Sequence, residues 1–84
     1  MRTTTVAWRK GHVAPEDLEA KRQRMYDAAI RIAGEIYKDE IRQEANSEGD
    51  IIIITRAWPD AEKAQAWVDY VMSEGAFTAQ VDPE

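Results

Sequence analysis

The chain has 84 residues, a net charge of −5, 44% hydrophobic and 32% charged residues, the balance of one soluble globular domain spanning residues 1–84. It has no cysteine and one histidine, which excludes disulfides and Cys-based or multi-His metal sites within one subunit, so neither a metal nor a cofactor is expected. The acidic balance argues against nucleic acid and anionic membranes as partners. No apolar run approaches the ~20 residues needed to span a bilayer, and the N-terminal segment lacks the apolar stretch of a signal peptide, so the expectation is a cytoplasmic protein.

Residues 3–9 are rich in β-branched and aromatic side chains. Thr4, Val6 and Trp8 alternate with Thr3, Thr5 and Ala7, which predicts a strand. Pro15 suits the first position of a helix, and Glu16 and Asp17 complement its positive end. Leu18, Met25, Ala29 and Ile32 form one apolar stripe, with Tyr26, Ile30 and Ala33 beside it, the broad face of a core-packed helix over 15–33. Arg9, Lys10, Lys21, Arg22 and Arg24 give this half of the chain a local basic character, read as a solvated strand end and helix face.

Gly34 is a natural helix stop. Ile36, Tyr37 and Ile41 continue the helical period, so one helix running to Ala45 competes with a hairpin whose first arm is residues 37–45. A helix of about 30 residues is unusual in a small domain. The cluster Asn46, Ser47, Glu48, Gly49, Asp50 then reads as a turn, which favours the hairpin. The charged first arm suits a sheet edge, where charge blocks unwanted pairing.

Residues 50–58 include four consecutive isoleucines, Ile51 to Ile54. Such a strand is apolar on both faces and asks for cover on both. Pro59 and Asp60 open a second helix over 60–74, with Asp60 as N-cap and Ala61, Ala64, Trp67, Val68 and Val71 on one face. Gly75 closes it, and residues 76–81 alternate as a last strand. The order is βαββαβ, a ferredoxin-like α+β fold with an antiparallel sheet and two helices on one face. A single chain leaves the other face open, with two isoleucines on it. That predicts a homodimer, which would also supply stability that a chain of this size lacks.

The segment ITRAWPDAEKAQAWVDYV, residues 54–71, resembles the dimeric α/β-barrel superfamily, which includes antibiotic-biosynthesis-type monooxygenases. Trp58, Asp60, Ala64 and Trp67 carry the resemblance, over residues 49–82. The likeness implies a ferredoxin-like protein whose open sheet faces pair in a dimer. Catalytic members use an Asn, a His or a Trp around a pocket between sheet and helices. Here the first strand has no Asn, and Asn46 falls in the expected hairpin turn, which argues against haem-degrading or quinone-forming activity.

His12 is the one side chain of the type that exchanges protons near neutrality, and so the candidate catalytic acid or base; the competing reading is an ordinary loop histidine. Trp8, Tyr26, Tyr37 and Trp58 are the candidate substrate-binding walls for a flat apolar or aromatic ligand, against a plain role in core packing. The carboxylates around residues 16–19 and 39–44 have no cation-binding spacing, and no nucleotide or hydrolase motif is present. Two functions follow. The first is a non-catalytic homodimeric binding or accessory module. The alternative is a small cofactor-independent monooxygenase-like enzyme acting on an aromatic or apolar molecule, with His12 as base. A pocket between sheet and helices, faced by His12, is what would separate them.

Overall fold

A computed structural model describes residues 1–37 and 43–83. The elements are β1 (Arg2–Arg9), α1 (Leu18–Ala33), β2 (Gln43–Glu48), β3 (Ile51–Trp58), α2 (Ala61–Ser73) and β4 (Thr78–Val81), with short 3-10 turns at Pro15–Asp17 and Glu35–Tyr37. The four strands form one antiparallel sheet in the order β2-β3-β1-β4. This is the α+β, ferredoxin-like arrangement, with the isoleucine strand inside and β2 at an edge.

Register assigns the faces. Val6 pairs with Ile54 and Trp8 with Ile52 across β1 and β3. Side chains alternate along a strand, so Ile52, Ile54, Arg56 and Trp58 share the face of Thr4, Val6 and Trp8. Ile51, Ile53, Thr55 and Ala57 lie on the other face with Thr3, Thr5 and Ala7. Helix α2 lies against β1, β3 and β4, and α1 packs beside it. The core gathers Val6, Trp8, Trp58, Trp67 and Val71 with Ala28, Ala29 and Ala33 of α1.

Local chemistry explains the boundaries. Asp60 caps α2 by accepting the Lys63 backbone N–H at 2.9 Å, which holds its carboxyl below the usual carboxylate range. Gly34 ends α1 with φ +98°, a conformation that side chains resist, while its N–H still donates to the Ile30 carbonyl at 2.8 Å. Pro15 opens a 3-10 turn ahead of α1 rather than the helix itself.

The hairpin differs from expectation. Asn46, Ser47 and Glu48 were expected in its turn and instead belong to β2, paired with Ile53, Ile52 and Ile51. The turn is only Gly49 and Asp50, with Gly49 at φ +60°, as two-residue hairpins require. The weak strand propensity of these polar residues is overridden by pairing with the isoleucine strand. Tyr37, expected to begin the first arm, lies in the second 3-10 turn. The rest of that expected arm up to residue 42 lies outside the described residues. The last strand begins at Thr78, though the Phe77 N–H already donates to the Ala7 carbonyl at 2.8 Å. No helix among the described residues is long and apolar enough to cross a membrane.

Candidate functional site

Between α1 and the sheet lies a pocket of about 420 Å³, within the range of small-molecule sites. Its floor is Val6 and Trp8 of β1 with Ile52, Ile54 and Arg56 of β3. Leu18, Lys21, Arg22, Met25 and Tyr26 of α1 form the facing wall. Trp67 and Val71 of α2 close one side, Ala45 of β2 and His12 from the β1–α1 loop the rim. The apolar parity of β3 and the inner stripe of α1 thus produce the pocket directly.

Three of the five candidates meet here. Trp8, His12 and Tyr26 line the pocket. The His12 and Trp8 rings stack with centroids 4.8 Å apart. His12 Nδ1 is 2.9 Å from the Arg9 carbonyl oxygen. In the tautomer that donates this bond, Nε2 is left as the proton-accepting nitrogen. Trp58 lies elsewhere: it is fully buried in the core, its Nε1 donating to Thr4 Oγ1 at 3.0 Å. Tyr37 packs against the core beside Gly34 and does not line the pocket. Asn46 is on the open face of the sheet, opposite Ile53, away from the pocket.

The pocket also has charged lining, Lys21, Arg22 and Arg56, that residue type alone does not place inside. Lys21, read as part of a solvated helix face, is buried at 7% exposure. Its Nζ donates to the Glu74 carbonyl at 3.3 Å and lies 4.3 Å from the Trp8 ring centroid. A cation is well placed there, since that carbonyl belongs to the C-terminal end of α2. Burial lowers the Lys21 pKa, with the nearby Glu74 carboxylate opposing. Arg24 takes that carboxylate in a 2.7 Å ion pair, which pulls the Glu74 pKa down. Arg56 sits with its guanidinium 4.9 Å from the Trp67 centroid, and burial lowers its pKa too. Both residues carried a signal. Lys21 falls on the stripe Leu18, Lys21, Met25, three and four residues from its neighbours. Arg56 has the parity of Ile52 and Ile54.

No group of three metal-binding side chains occurs among the described residues. No protein-family model matches the sequence, and no curated protein matches it. Among solved structures, the structured domain of Boca from Drosophila melanogaster is similar in fold, with a TM-score of 0.53 at 12% identity over 100% of this chain and 99% of that one. At that identity the likeness extends to the fold alone.

Proposed function

We propose that this protein is a cytoplasmic, homodimeric, non-catalytic binding module of the dimeric α/β-barrel type, holding a small apolar or aromatic molecule between α1 and the sheet. The pocket under α1 carries the reading. It has the size of a ligand site, and Trp8, Tyr26 and Trp67 with Val6, Leu18, Ile52 and Ile54 supply apolar walls suited to flat molecules. A thermal-shift screen of aromatic and apolar compounds tests it. A ligand at a hundred times its Kd adds about 2.7 kcal/mol, on the order of 10 °C in Tm for a domain of this size. A flat response across the set rejects the reading.

The homodimer rests on the open face, where Ile51 and Ile53 stand with Ala7 and Ala57. Both isoleucines are half-buried in the single chain, so a two-fold pairing would add only part of the about 1.5–3 kcal/mol that full burial of each supplies, on both copies. Ile53→Lys should weaken self-association while the fold persists. Ile52→Lys places a charge against the pocket floor and should destabilise the chain itself. Sedimentation of wild type as a folded monomer at micromolar concentration rejects the dimer.

A second reading is the monooxygenase-like enzyme, favoured by the position of His12 at the pocket rim with Nδ1 engaged by the Arg9 carbonyl. In it, Nε2 takes a proton from the bound substrate. Turnover of any ligand found in the screen, abolished by His12→Gln with binding retained, would replace the non-catalytic reading with this one.

A further inference from the structure

We propose that the pocket selects a small organic anion, a carboxylate on a flat apolar body, with Lys21 as its counter-charge. This rests on the reading of the pocket as a binding site and adds the chemistry of its occupant.

Among the described residues, the charged lining is of one sign. His12, Lys21, Arg22 and Arg56 are its ionisable basic groups, and no aspartate or glutamate is among the described residues that line it. That is the reverse of the chain as a whole, whose net charge is −5. Basic groups over low-dielectric walls focus a positive field into the cleft.

Lys21 sharpens the case. A buried ammonium is costly unless paired. Its contacts are a neutral carbonyl, that of Glu74, and the face of Trp8. The Glu74 carboxylate supports the charge from nearby, but its oxygens are engaged by Arg24 Nε and Nη2. An anion in the pocket would meet Lys21 from α1. The Trp8 and Trp67 rings bordering the same space favour an organic body over an inorganic ion. Burial lowers the Lys21 pKa. An anion bound beside it would raise that pKa again, so affinity should fall as pH rises through the free-protein value.

Isothermal titration of the full chain with 2-naphthoate and with 2-naphthamide separates charge from shape. Naphthoate should bind about ten-fold or more tightly, the scale of one charge-assisted hydrogen bond. Its affinity should fall as salt is raised from roughly 0.05 to 0.5 M, with that of naphthamide unchanged. The Trp8 and Trp67 indole N–H resonances should move more than that of Trp58. Lys21→Met, which keeps the bulk and removes the charge, should bring the two affinities within about two-fold. If that variant does not fold, the salt response of wild type decides alone. Equal binding of both probes, or naphthoate binding indifferent to salt, overturns the anion and leaves the pocket reading standing. Binding of neither probe removes both. Indole shifts confined to Trp58 overturn the assignment of the site.

Discussion

Trp8 and Trp58 stand on neighbouring strands, on the same face of one sheet, and at opposite ends of it. The Trp58 end is filled. Its ring meets Trp67 with centroids 5.0 Å apart, its Nε1 donates to the buried Thr4 hydroxyl, and α2 lies over it. The Trp8 end is roofed by α1 but not filled, and the ring borders a pocket with Lys21 and His12 as neighbours. Two indoles of similar burial therefore do different work. One closes the core, and the other forms a wall. Stability should be concentrated at the α2 end and ligand response at the α1 end.

The largest test of that division is Trp58→Ala. Loss of a fully buried indole costs about 3–5 kcal/mol, read by urea denaturation. Trp8→Ala should cost less, because the ring already faces space on one side. Equal losses would mean that the α1 end is as load-carrying as the α2 end, and would break the comparison.

Gly34→Ala comes next. Among the described residues, the added Cβ meets Tyr37 Cδ2 at 3.7 Å, an ordinary contact, so the cost there is the positive φ, about 1 kcal/mol or more. Stabilisation by the same change would mean that α1 continues through this point.

A smaller effect concerns the Arg24–Glu74 clasp between the helices. The Arg24 hydrogen bond holds the Glu74 pKa low. A carboxylate with a lowered folded-state pKa contributes stability above its unfolded value, lost as pH falls through the folded one. Arg24→Gln should thus be less stable than wild type at neutral pH, and the gap should close as the pH falls through the lowered folded-state pKa of Glu74. A gap that stays constant with pH would assign the role of Arg24 to packing.

The smallest effect is expected for His12→Ala, less than about 0.5 kcal/mol, since the side chain is exposed. A larger loss would join His12 to the structural half of the molecule.

Much of this division could be read from residue order. The alternation of β1, the isoleucine run of β3, the Asp60 cap and the Gly34 stop are local signals, and local signals fixed the elements. Periodicity also separated Ile51 and Ile53 from Ile52 and Ile54, but which pair faced the helices needed the register with β1. The polar ends of β2 escaped notice because Asn46, Ser47 and Glu48 are turn-formers by composition, and only their partner strand makes them extended. Lys21 was assigned by residue type, as a surface lysine, although its spacing from Leu18 and Met25 put it inside. Trp58 was judged by its place at a strand end, a position that does not reveal whether a helix covers it.

The tilt between the Trp58 and Trp67 rings, 38° at 5.0 Å, has an optical consequence. Transition dipoles so close and not parallel exchange excitation and give paired bands of opposite sign in circular dichroism. The Trp58 end of the sheet can therefore be followed by dichroism with no label added, so that melting of the core has its own signal.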